Sequence, residues 1–565
     1  MEEESPAGRS RRRRRSRATL AAIPAAILAG VLAVAVAVDA QPGQPPSATR
    51  HGRPRHHRVA PPLAAQVTVS ARASLAAVPR SYLGLSTEYW ALPLWAPDMS
   101  LLERVVSLIH VRGGGPFILR VGGDSADHSF WDPDSAPMPS WAFTIQPQWL
   151  SEAGQLVRAD AIKLILDLNL ITDSPSAATA WARAAESGLP HGSIVAFEVG
   201  NEPDIYSRTD WLAITAGRSL DGHPIDRSLP AAISAKAYVH DFRKYAAALS
   251  EVEPGVPVAG PALANPVTHR RWVATLVDGA GHSLGLVTVH RYPYSGCAGR
   301  RGTASYATIG RLLSPAASTG MAQALRPVVD AANDAGLALR LTELNSVNCG
   351  GRPGVSDSFA TALWAPDALF ALLRAGVDGV NLHVRADAIN APFALTPGGL
   401  QARPLLYGLI FFSRALGPDA QLVKVDATAP RASNLSAWGV RVGSDTLHVV
   451  LIDKGRRSVR VALRLPATAT ATVQRLQAPS AASQNGVTVG GQSLATDGSW
   501  QGTATLQTVP HRTDGYAVDL RRQSAALLSV RVSPGALGTP RAVVTDDRRP
   551  RAARRAPRAG RSPRR

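Results

Sequence analysis

Between residues 82 and 416 the sequence repeats one rhythm eight times: a short apolar run, a polar loop, then an amphipathic stretch. Such alternation is the signature of βα units. The runs predict strands at Tyr82–Ser86, Phe117–Val121, Lys163–Leu168, Ile194–Val199, Val256–Gly260, Leu284–Val289, Leu337–Thr342 and Gly379–Leu382. Helices are expected between them at Ala178–Ser187, Ala231–Leu249, Met321–Ala335, Phe359–Arg374 and Arg403–Leu416. In Ala231–Leu249, Ala235, Tyr238, Phe242 and Tyr245 recur at threes and fours, the spacing of one buried helix face. Eight consecutive units predict an α/β chain with a closed (β/α)8 barrel over residues 81–416.

In a parallel barrel, reactive side chains gather where strands end and loops begin. Glu202 follows the fourth apolar run and Glu343 closes the seventh. Strands four and seven lie across a small ring from each other, so the two acids are expected to meet over one mouth. Glu88, Arg120, Asp124 and Asn169 stand at or near the ends of the first three strands. They are candidates either for orienting substrate hydroxyls or, Arg120 above all, for a buried ion-pair network. Glu198 lies within its strand and reads as structural. His290 and Tyr292, at the end of strand six, are placed to donate hydrogen bonds to a carboxylate. Trp90, Trp95, Trp131 and Trp141 are candidate stacking platforms for a substrate ring.

Two carboxylates at barrel strand ends are what glycoside hydrolysis requires. VGNEPD (199–204) and LTELNSVNCGG (341–351) resemble the acid/base and nucleophile motifs of the heparanase and β-glucuronidase family of glycoside hydrolases, family 79. YLGLSTEYW (82–90) and LRVGGDSADHSFW (119–131) resemble that family's first and second strand ends. The similarity runs from about residue 66 to about 532. It implies a retaining mechanism with Glu202 as acid/base, Glu343 as nucleophile and Asn201 on the sugar 2-hydroxyl. The family's β-glucuronidases hold the uronate with backbone amides and Tyr hydroxyls after strand eight. The loop here runs from His383 to Asn390 and holds no Tyr, so Arg385 is the candidate for an ion pair with a carboxylate, or else pairs with Asp387.

Past Gly417 short strands separated by turn residues predict a β-sandwich over residues 417–534. They are expected at Thr446–Ile452, Ser458–Leu465, Thr470–Leu476, Gly486–Val489 and Ala526–Val532, with an Asp-Gly turn at Asp497-Gly498. The resemblance adds the alternating stretch 64–80 as a strand of that domain.

The net charge of +19 invites a nucleic-acid reading, so its location matters. Residues 1–58 and 541–565 hold 21 arginines against 6 acids, which places 15 of the 19 charges in the two ends. Basicity of this kind belongs to solvated tails (41–63 as a linker, 535–565 as an Arg-rich tail) and implies no nucleic-acid partner. Arg11–Arg15 precede the nearly uncharged Ala18–Val38, so residues 1–40 read as an export signal or membrane anchor. An extracytoplasmic location is expected on that basis. Cys297 and Cys349 follow strands six and seven and are expected to pair, closing a loop worth about 4 kcal/mol in the chain-entropy model.

The expected function is therefore a retaining β-glycosidase, β-glucuronidase-like and exo-acting, on an oligo- or polysaccharide or glycoconjugate. No zinc-type spacing appears, and no metal or cofactor is implied. The alternatives are a β-glucosidase, β-xylosidase or endo-acting heparanase-like enzyme, or a catalytically silent carbohydrate-binding surface protein.

Overall fold

The computed structural model describes residues 60–533, apart from 139, 160–161, 209–218, 221–222, 225–233 and 387. Eight parallel strands close a barrel in chain order: Leu83–Glu88, Phe117–Gly122, Ile162–Leu168, Ile194–Val199, Val258–Leu263, Leu286–Arg291, Leu339–Leu344 and Gly379–His383, the last pairing with the first. Strands five to seven begin two residues later than the apolar runs suggest. Pro257, just before strand five, offers no backbone donor to a ladder, and in strands six and seven the polar His290, Arg291 and Glu343 at the other end stay in the sheet. His290 is in register with Glu343, and Arg291 with Leu344. The carboxylate of Glu343 therefore springs from a strand and is held by its ladder.

The expected helices appear at Pro175–Gly188, Ala235–Val252, Thr319–Asp334, Phe359–Ala375 and Pro404–Arg414. The helix Phe359–Ala375 is buried nearly all round. It is wedged between the barrel and the β-domain, so it carries no polar stripe for a sequence reading to follow. Asp367 on this helix takes Lys454 Nζ at 2.5 Å, Ser318 Oγ at 2.6 Å and Trp438 Nε1 at 2.9 Å. Burial would raise this carboxyl, and Lys454 with the other donors holds it below its usual range. Lys454 and Trp438 come from the β-domain, so the contact staples the two domains. Removing one partner of such a buried pair costs about 3–5 kcal/mol.

The β-domain is a mixed sheet of ten strands. Leu63–Ala77 pairs antiparallel with Gln421–Thr428 and parallel with Val459–Arg464. The sheet follows one hydrogen-bonded path whose halves share a core: Val67 and Val69, Val461, Val518, Val449, Leu451 and Leu528. Gln421–Thr428, Leu435–Val442, Gln507–Val509 and Tyr516–Leu520 join it without having been expected. The Asp-Gly turn joins the paired stretches Ser493–Leu494 and Trp500–Gln501.

One expectation is corrected. Among the described residues no helix is long and apolar enough to cross a membrane. Ala18–Val38 lies outside the described residues, as do 41–59 and 535–565. Among the described residues nothing supports the extracytoplasmic or membrane-anchored location.

Candidate active site

Glu202 reaches the barrel mouth through a turn that only certain residues permit. Gly200 leaves strand four at φ 76°, where a Cβ would meet Leu170 Cδ2 and the Tyr206 hydroxyl at 2.7 Å. Glu202 itself sits in the left-handed region at φ 52°, a conformation that costs a non-glycine residue of order 1 kcal/mol or more. The next strand pins it there. Glu202 N donates to Ala262 O at 3.1 Å. Asp204 takes the backbone N–H groups of Ala264 and Asn265 at 2.9 and 3.0 Å, and His269 Nδ1 at 2.8 Å.

Glu202 and Glu343 meet over this mouth. Glu202, His290 and Glu343 each present one polar atom, and the three atoms lie within 4.8 Å of one another. His290 Nδ1 is 2.9 Å from Glu202 Oε1 and 3.7 Å from Glu343 Oε2. Tyr292 donates its hydroxyl to Glu343 Oε2 at 2.6 Å, and Arg120 Nη1 donates to Glu343 Oε1 at 2.9 Å. Among the described residues this trio is also the one set that could converge on a metal ion. Tyr292 and Arg120 already donate to both oxygens of Glu343, an arrangement suited to holding a carboxylate ionised.

The two acids are driven apart electrostatically. Burial raises Glu202, and the nearby charges of Glu343 and Asp204 add to it, against the lowering pull of His290. Burial would raise Glu343 as well. There His290, His383 and Arg120, with the Tyr292 hydroxyl, bring it down to about 2. One carboxyl inclined to stay protonated thus faces one inclined to stay ionised.

Arg120 is completely buried and organises the floor. It donates to Glu198 Oε2 and Asp167 Oδ2 at 2.7 Å, to Asn201 Oδ1 at 3.0 Å, and to Glu343. Thr342 Oγ1 caps Glu198 Oε1 at 2.8 Å. Glu198 thus belongs to this network and stays out of the mouth. The bond to Arg120 also fixes the Asn201 amide, leaving its NH2 as the edge Arg120 does not use.

Glu88 and Asp124 lie in the same mouth. Glu88 is buried and accepts from Ser125 N at 2.9 Å. Asp124 is open to solvent yet surrounded by protein, which together with the charges of Glu88, Glu202 and Glu343 pushes its carboxyl up to about 7.

Asn169 is not brought to the pair. Its amide closes a local turn, bonding Thr172 N and Oγ1 at 3.0 and 2.8 Å and Ser129 O at 3.3 Å. It lines, with Trp131 and Trp181, a cavity of about 20 Å³, room for one water. Trp131 packs on Trp181 and the buried Trp95 on Phe393, so these two serve the core, and the half-buried Trp141 packs edge-on against Phe130. Trp90 is at the rim, with the Arg385 guanidinium 5.9 Å from its ring centroid. Asp387, the alternative partner of Arg385, lies outside the described residues.

Cys297 and Cys349 form a disulfide between the loops after strands six and seven. The same loops are joined by a bridge between Tyr294 and Val347, and by Gly296 N donating to Asn348 Oδ1 at 3.1 Å. The rim beside Tyr292 and Glu343 is therefore stiff.

Sequence reasoning assigned no role to His383. It is the last residue of strand eight, and the strand-end rule that singled out Glu88 and Glu343 applies to it equally.

Residues 433–527 match the glycosyl hydrolase family 79 C-terminal beta domain. No curated protein sequence matches the chain. Among solved structures, a 4-O-α-L-rhamnosyl-β-D-glucuronidase from Fusarium oxysporum 12S superposes with a TM-score of 0.66 at 19% identity, covering 82% of this chain and 100% of that one. A family 51 arabinofuranosidase from Xanthomonas axonopodis pv. citri gives 0.59 at 13%, covering 83% and 100%. A family 44 endoglucanase from Clostridium thermocellum gives 0.54 at 12%, with the same coverages. At these identities the superpositions establish a shared barrel and β-domain fold.

Proposed function

We propose that this chain, a glycoside hydrolase by its family 79 C-terminal beta domain, is a retaining, exo-acting enzyme of β-glucuronidase-like specificity. The observation that carries the mechanism is that a carboxylate oxygen of Glu202 and one of Glu343 lie within 4.8 Å of each other. Retaining pairs stand about 5–5.5 Å apart and inverting pairs about 6.5–9.5 Å, because only the latter leave room for a water.

Glu343 attacks the anomeric carbon while Glu202 protonates the departing oxygen. The new bond is a glycosyl ester of Glu343, and the aglycone leaves with the proton. Glu343 is then neutral, so the repulsion that helped raise Glu202 is gone. Glu202 can now take a proton from water, whose oxygen bonds to the anomeric carbon as the bond to Glu343 breaks, which restores both groups. Asn201 holds the sugar 2-hydroxyl, Glu88 and Asp124 accept from other hydroxyls, and Tyr292 and His290 hold the carboxylates in place. Asn169, its amide engaged locally, has no part.

Support for an acidic sugar comes from the named activity of the Fusarium neighbour and from Arg385 at the rim. A panel of aryl β-glucuronide, β-glucoside and β-xyloside tests this. The glucuronide is expected to be turned over best. Arg385→Ala should reduce its kcat/KM about tenfold more than the glucoside's, about 1.4 kcal/mol. Equal losses would remove the carboxylate assignment and favour a neutral glycoside.

A further inference from the structure

His383 stands where two strands present carboxylates to one ring. Its Nδ1 lies 3.5 Å from Glu343 Oε1 and 3.3 Å from Ser86 Oγ, and its Nε2 lies 3.6 Å from Glu88 Oε1. The residue is buried, 7% exposed, so water does little to screen these charges. Its backbone is fixed as well. His383 is in register with Ser86 in strand one, its carbonyl accepts from Asn345 Nδ2 at 3.0 Å, and the next N–H, of Val384, donates to Ser86 O at 2.7 Å. The ring cannot leave without disturbing three strand ends.

The charged groups facing it come from every neighbouring element. Strand seven supplies Glu343, strand one Glu88, strand two Arg120, and the loop after strand two Asp124. Arg120 already spends two of its contacts on Glu198 and Asp167. Its charge is therefore divided among three carboxylates, and Glu343 receives only part of it. Between Glu343 and Glu88 a neutral imidazole would leave two buried carboxylates without a cation between them, whereas an imidazolium serves both.

We infer that His383 is a positioning residue: as an imidazolium it ties Glu343 to Glu88, keeping the nucleophile ionised and in register with a carboxylate of the sugar pocket. The inference rests on the retaining reading and deepens it. It makes strand eight part of the electrostatic support of the nucleophile. It also couples Glu343 to the carboxylate proposed to accept from the sugar. When the glycosyl ester forms, Glu343 loses its charge and the imidazolium is left to Glu88 alone. Hydrolysis of the ester restores the bridge.

The sign of the pH effect follows. The acid limb of kcat/KM reports ionisation of the nucleophile in the free enzyme. With the cation present this limb lies far down, at the Glu343 value of about 2. An opposite charge at this range lowers a carboxyl by about 1–3 units, so its removal should raise the limb by about that step, while His290, Arg120 and the Tyr292 hydroxyl go on lowering Glu343.

The experiment compares kcat/KM against pH for wild type, His383→Gln and His383→Arg on one aryl glycoside, with each variant's fold checked by its melting curve. His383→Gln keeps the size and removes the charge, and should raise the acid limb by about 1–2 pH units. His383→Arg keeps the charge and should leave the limb near wild type even where kcat falls. A limb in folded His383→Gln that coincides with wild type would overturn the inference. So would an equal shift in both variants, which would make the role one of shape. Glu343→Gln, run alongside, separates the two levels. If it is inactive while the His383 limb stays put, only this assignment fails. If it is active, the retaining reading fails first.

Discussion

Glu343→Gln is expected to lower kcat on an aryl glycoside by at least about 10⁴-fold, about 5.4 kcal/mol of barrier. The amide has nearly the shape of the carboxylate, and Tyr292 and Arg120 remain beside it. What is lost is the charged oxygen proposed to form the glycosyl ester, and no neighbour replaces it. His290 and Tyr292 are donors here, and Glu88 is engaged by Ser125 N on the far side of His383. The variant should fold, with its melting curve near wild type. Substantial residual turnover in a folded protein would mean that another group carries the bond-forming step.

Glu202→Ala is expected to behave differently, and the difference is diagnostic. General acid help contributes about 10²–10⁴-fold, and it matters most where the leaving oxygen is a poor leaving group. The variant should lose about that factor on an alkyl glycoside and far less in the glycosylation step of a dinitrophenyl glycoside. Its pH profile should change as well. The wild-type alkaline limb reports loss of the Glu202 proton as pH rises through its raised pKa, so it should vanish when the carboxyl is gone. Azide, which needs no general base, should restore turnover and yield a β-glycosyl azide. A loss equal for both leaving groups would contradict the acid/base assignment.

Much of this geometry was legible because barrels put polar residues at strand ends. Glu202, Glu343, Glu88, Asp124, His290 and Tyr292 all stand on that pattern, and the structure brings them to one mouth. The pattern is blind to what a local turn consumes. Asn169 satisfies it too, but Thr172, three residues on, takes its amide. The pattern also covers His383, but the apolar run stops at Leu382, so His383 read as the first residue of a loop when it is the last of strand eight. The offset of strands five to seven has a related cause. Apolarity marks what is buried, and at the ends of strands six and seven the polar His290 and Glu343 are buried as well. In the β-domain, Gln421–Thr428 and Leu435–Val442 are exposed or half-buried along much of their length, so their alternation is weak. Their pairing is settled by long-range neighbours, including Leu63–Ala77. The staple of Asp367 to Lys454 had no local signal at all, since its partners are 87 positions apart.

Everything in the mechanism depends on direct attack by Glu343 with Glu202 opposite, and the stereochemistry of the first product reports on that directly. Proton NMR of an aryl β-glycoside hydrolysis, recorded before mutarotation, should show the β-anomer of the released sugar appearing first. First appearance of the α-anomer would require a water between sugar and carboxylate. It would contradict an account built on two acids less than 5 Å apart.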